Sequence, residues 1–154
     1  MIKKLRVDHR LLHGQVAFSW TSALNVDCIL IANDSVMKDE LRKTTLKMAK
    51  PNGVKLVMKN IEDSIKAINS GVTDKYKLFI VVESIADAAA LINGVESIRE
   101  LNLGVTKATD KTRNISKAMT PEEEDILKNL VDKGVDVTIQ MVPEDSAVPV
   151  MKAL

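Results

Sequence analysis

The stretch Leu78-Phe79-Ile80-Val81-Val82-Glu83-Ser84-Ile85-Ala86-Asp87 decides how the chain folds. Leu78 to Val82 are apolar without a break and rich in branched side chains. A strand of that kind has both faces buried, as in a parallel sheet covered by helices above and below. Ser84 with Asp87 three residues on marks a helix start, with a hydroxyl to cap the first turn and an acid inside it. An alanine-rich helix to about Ile92 follows, and Asn93-Gly94 ends it. A buried strand leading straight into a capped helix is half of a β-α-β unit.

The same alternation runs outward in both directions. Upstream, Ile2–Val7 predicts a first strand and Gly14–Leu24 a helix with Val16, Ala17, Trp20 and Leu24 on one face. Cys28–Ala32 is a second apolar strand. A second helix is expected from an Asp34 cap, lined by Met37, Leu41, Thr45 and Met48 and stopped by Pro51-Asn52-Gly53. Residues 54–58 predict a third strand, and Asn60 caps a helix with the stripe Ile61, Ile65 and Ile68. Downstream, strands are expected at 98–103, 114–119 and 135–142. Thr120-Pro121-Glu122-Glu123 is a helix start with a cap, a proline at the first position and a glutamate at the capping-box position. The acids there complement the helix dipole, and Ile126, Leu127, Leu130 and Val131 supply the buried face. The expected fold is therefore α/β: one domain over residues 1–154, three layers (α/β/α), with a mainly parallel central sheet of six or seven strands. In such sheets ligands bind beyond the carboxyl ends of the strands.

Composition narrows the function. The chain has 154 residues, 45% hydrophobic and 28% charged, with 22 Lys and Arg against 21 Asp and Glu. A net charge of +1 lacks the broad basic footprint of a nucleic-acid binder, and 3% aromatics leave little for base stacking. One cysteine, Cys28, forms no internal disulfide or thiolate zinc site, and its apolar strand makes it a buried thiol. Met1 to Arg10 has no long apolar core, so no secretory leader is expected, and no run approaches the roughly 20 apolar residues of a membrane span. Dinucleotide, P-loop and hydrolase-elbow signatures are missing.

Beyond the first strand stands Asp8-His9-Arg10-Leu11-Leu12-His13-Gly14-Gln15-Val16, which contains both histidines of the chain. Arg6 and Arg10 bracket Asp8, and the segment opens a helix. A helix N-terminus offers unpaired N–H groups to an anion, and arginine adds a fork matched to phosphate. Gly14 lets backbone approach a ligand closely. His13 in that cradle has the chemistry of a transient phosphohistidine. A metal site is weaker: His9 lies before the helix, so its four-residue spacing from His13 carries no geometry, and a third ligand is lacking. His9 reads as an exposed loop residue and Trp20 as core. A non-covalent binder of a phosphorylated metabolite or nucleotide, and a regulator phosphorylated at His13, share the same residues.

Arg6 to Val16 closely resembles the phosphorylation motif R-[IV]-D-x-R-L-[IL]-H-G-Q-V of the mannose/fructose/sorbose family of phosphotransferase-system (PTS) IIB components. The resemblance continues through Trp20, Asn33-Asp34, Leu46-Lys47-Met48-Ala49 with Pro51, Leu101-Asn102-Leu103-Gly104, Thr120-Pro121-Glu122-Glu123 and Gln140-Met141-Val142-Pro143. Val105 stands where the family often has a second glycine.

The resemblance implies a cytoplasmic phosphohistidine carrier at the membrane transporter. It would take a phosphoryl group from a phosphorylated IIA component and pass it to a sugar carried by the membrane IIC and IID components. His13 would be the phosphorylated residue. Arg10 would bind phosphate, with Arg6, Gly14 and Gln15 in the cradle, and Asp8 and Asp34 in support. His9 holds the motif's variable position. The resemblance implies no cofactor, metal or nucleic acid and no insertion into the membrane.

Overall fold

The computed structural model describes residues 1–104 and 119–154. Seven strands form one sheet: β1 (Ile2–Val7), β2 (Cys28–Ala32), β3 (Lys55–Lys59), β4 (Leu78–Val82), β5 (Glu100–Leu103), β6 (Asp136–Ile139) and β7 (Val148–Pro149). Their order is β3-β2-β4-β1-β5-β6-β7. Every pairing is parallel except β6 with β7. The α-helices are α1 (Gly14–Leu24), α2 (Glu40–Met48), α3 (Ile61–Asn69), α4 (Ile85–Gly94) and α5 (Pro121–Asp132).

Strand periodicity divides the core in two. Leu78, Ile80 and Val82 of β4 join Leu5, Val7, Leu101 and Leu103 in the layer that α4 and α5 cover. Phe79 and Val81 join Ile29 and Ile31 beneath Ala17 and Trp20 of α1 and Leu46 of α2. All five β4 side chains are buried, which is why that stretch is apolar throughout. The same alternation turns Arg6 of β1 away from Leu5 and Val7 and toward α1, where Trp20 lies.

Caps form where short polar side chains precede apolar runs. Asn60 accepts from the Asp63 N–H, Ser84 from the Asp87 N–H, and Thr120 and Glu123 complete a reciprocal capping box.

Three expectations change. Helix α2 starts at an Asp39 cap, not at Asp34. Leu46 is its buried residue, while Leu41 and Met48 are 79% and 82% exposed. The last parallel strand stops at Ile139. Beyond it the chain returns as β7 and a 3-10 turn whose Val150 enters the core. The expected strand at 114–119, apart from Met119, and the departure at Val105 lie outside the described residues.

Candidate active site

The carboxyl end of β1 lies between those of β4 and β5, at the centre of the sheet. The Asp8 N–H extends the ladder by donating to the Val82 carbonyl. The chain then turns, with the Leu11 N–H donating to the Asp8 carbonyl at 2.8 Å. Leu11 has φ of 61°, the left-handed region that branched and bulky residues avoid. The Leu11 and Leu12 side chains are 3% and 5% exposed, packed in the core under α1. That burial compensates the strain and lets His13 emerge at the surface as the N-cap residue of α1. Gly14 follows with φ of 38°, so here glycine serves the backbone turn; a Cβ would meet nothing.

Arg10 and His13 come together. Arg10 Nη1 lies 3.3 Å from His13 Nδ1. A guanidinium has donors only, so a hydrogen bond here calls for the tautomer in which Nδ1 accepts. Asp8, 1% exposed, holds Arg10 from behind. One carboxylate oxygen accepts from the Arg10 backbone N–H at 3.0 Å and pairs with Nε at 3.3 Å. Gln15 is exposed on the first turn of α1, at the end where helix N–H groups lack intrahelical partners.

Arg6 lies beneath the site. It was expected among the phosphate ligands, yet the residue is 2% exposed. Its guanidinium donates to the Asn102 side chain and to the carbonyls of Gln140 and Met141 at 2.9 Å each. It pairs with the second Asp8 oxygen at 3.6 Å and stacks on the Trp20 ring at 5.1 Å from the centroid. Burial pushes the guanidinium down to about 10, while Asp8 works in the opposite sense. A side chain so enclosed braces the loop instead of meeting a surface phosphate.

Asp34 is likewise placed elsewhere: its carboxylate accepts the Ile61 N–H at 2.9 Å, at the start of α3. His9 is half-buried and lines a recess with Asn33, Asp34, Glu83 and Asp87. Cys28 is buried, and burial pushes its thiol up. Among the described residues no three His, Cys, Asp or Glu side chains gather as a metal-binding set. None of their helices is long and apolar enough to cross a membrane.

Residues 2–154 match the family described as PTS system sorbose subfamily IIB component. A probable phosphotransferase enzyme IIB component of Streptococcus pyogenes is 38% identical, with 96% of each chain covered. The sorbose-specific EIIB component of Lacticaseibacillus casei is 31% identical over 94% of this chain and 90% of its own. The crystal structure of the IIBSor domain of the Klebsiella pneumoniae sorbose permease superposes with a TM-score of 0.92 at 26% identity, covering 99% of this chain and 95% of that one. Fold and relatives together make the chain an α/β phosphotransferase. It belongs to the sorbose subfamily of PTS IIB components.

Proposed function

We propose that His13 carries the phosphoryl group, through Nδ1, between a IIA donor and a sugar. The observation that carries this reading is the exposed His13 ring at the start of α1 with the Arg10 guanidinium facing Nδ1. The Nδ1 lone pair attacks phosphorus of the donor phosphohistidine. The donor P–N bond breaks, and its electron pair returns to the donor imidazole. In the second step a sugar hydroxyl oxygen attacks phosphorus, the P–N bond to His13 breaks with its electron pair returning to Nδ1, and the hydroxyl proton passes to solvent water. The protein supplies position and charge. A phosphoryl group brings roughly two negative charges, which Arg10 and the first N–H groups of α1 offset. Gly14 and Gln15 contribute there through backbone.

The partners follow from relatives. The mannose-specific EIIAB component of Escherichia coli, of which this chain matches 46%, bears A and B in its name as one protein. This supports a IIA donor. In this reading membrane IIC and IID components present the sugar and the chain works at the cytoplasmic face. Relatives are named for sorbose, fructose and N-acetylgalactosamine, so a hexose or N-acetylhexosamine is the substrate class.

The test is phosphoryl loading by phosphoenolpyruvate, enzyme I, the histidine phosphocarrier protein and a cognate IIA. An acid-labile, alkali-stable phosphate on the wild type and none on His13→Ala supports the carrier. Loading of His13→Ala overturns the site.

A further inference from the structure

The loop that carries His13 is braced from two neighbouring strands that no part of the phosphorylation motif includes. Gly104 follows β5, with its N–H donating to the Val7 carbonyl at 2.9 Å. A Cβ at position 104 would fall on the Arg6 guanidinium, inside contact distance of Cζ and both Nη atoms. The far end of a free arginine could swing aside, but this one cannot. Asn102, Gln140, Met141 and Asp8 hold its nitrogens, and Trp20 covers its face. Trp20 fixes the same segment after β6, donating its indole N–H to the Met141 carbonyl at 3.1 Å. Arg6 in turn meets one oxygen of Asp8 while Arg10 holds the other.

Resting on the reading of His13 as phosphoryl acceptor, we propose that Gly104 and the Gln140–Met141 backbone are positioning elements for phosphoryl transfer, setting Arg10 against His13 through Arg6 and Asp8. None of them touches the transferred group. Gly104 supplies the space for the guanidinium, and the two carbonyls fix its height above the sheet. An added methyl at 104 pushes Arg6 outward, moves Asp8 and carries Arg10 away from Nδ1. Misplacement of about 1 Å at a reacting centre costs up to about 100-fold in rate.

The experiment measures phosphoryl acceptance from charged IIA by quench-flow in wild type, Gly104→Ala, Arg6→Lys and the double variant. Gly104→Ala is expected to lower kcat about 10- to 100-fold with KM for IIA unchanged. Arg6→Lys slows the wild-type background, where the fork matters. It speeds the Gly104→Ala background, because the ammonium is smaller. That reversal of sign is the signature of the contact. Trp20→Phe, which keeps an aromatic face beside Arg6 but loses the indole N–H and part of the ring bulk, covers the case of an unfolded Gly104→Ala; it lowers kcat several-fold at constant KM. Wild-type kcat in a folded Gly104→Ala, or in Trp20→Phe, would overturn the proposal, as would slowing by Arg6→Lys in both backgrounds. If the wild type takes no phosphoryl group, the carrier reading fails. The brace is then read from the His13 ring nitrogen shifts by NMR, which move in Gly104→Ala or Trp20→Phe; unmoved shifts would overturn it.

Discussion

Arg10 Nη1 stands 3.3 Å from His13 Nδ1, and Arg10 is in turn held by Asp8 through both its backbone N–H and its Nε. The guanidinium therefore stands within reach of the oxygens that a phosphoryl group on Nδ1 would carry. Removing it leaves the acceptor nitrogen intact and takes away its charge partner. Arg10→Ala should slow phosphoryl acceptance by about 100-fold or more, on the scale of a lost preorganised donor. Arg10→Lys, a point charge without the fork, should recover part of that. Because the Arg10 side chain is 30% exposed, both variants should melt near wild type. Quench-flow rates with a melting control check this; wild-type rates in Arg10→Ala remove Arg10 from the mechanism.

Asp8 is expected to matter for stability as well as rate. It is the carboxylate partner of Arg6, and both residues are almost fully buried. Asp8→Ala leaves that cation without its counter-charge, a change that costs about 3–5 kcal/mol at buried ion pairs. A urea midpoint unchanged by Asp8→Ala would contradict the arrangement.

Asp87 titrates against its surroundings. Burial pushes its carboxyl up, with help from Asp34 and Glu83, while the Ser84 hydrogen bond opposes. A folded-state value above the unfolded one means the ionised form costs stability at neutral pH. That cost fades as pH falls through the carboxyl range. Asp87→Asn should therefore melt above wild type at pH 7, and the gap should narrow toward about pH 4. A gap that widens on acidification would reverse the assignment.

The capping box of α5 gives a control remote from the chemistry. Thr120→Ala removes the acceptor for the Glu123 N–H and should cost about 1 kcal/mol. For a chain of this size that is a fall of roughly 2–4 °C in Tm. Phosphoryl acceptance should be unchanged, which the same quench-flow assay reads.

The sheet was legible because its strands are short apolar runs and its helices carry explicit caps. Helix α2 was not, for a physical reason. Leu41 and Leu46 lie about 140° apart round a helix, so its few apolar residues do not choose a face, and Asp34 competes with Asp39 as a cap. His13 and Arg10 could be picked out from local chemistry, since helix start, cation and imidazole are neighbours in sequence. The burial of Arg6 was not legible, because charged side chains are rarely buried. Its partners Asn102, Gln140 and Met141 are distant in sequence and meet only once β5 and β6 pair beside β1. The only sequence trace of that brace is the pair of segments at 101–104 and 140–143, both at strand ends.

Phosphoryl transfer through His13 Nδ1 is read from phosphorus NMR of the loaded protein under alkaline conditions. One phosphoramidate resonance with the shift of an Nδ1-phosphohistidine, absent from His13→Ala, is the expected result. A resonance at Nε2, at His9, or unchanged in His13→Ala would contradict it.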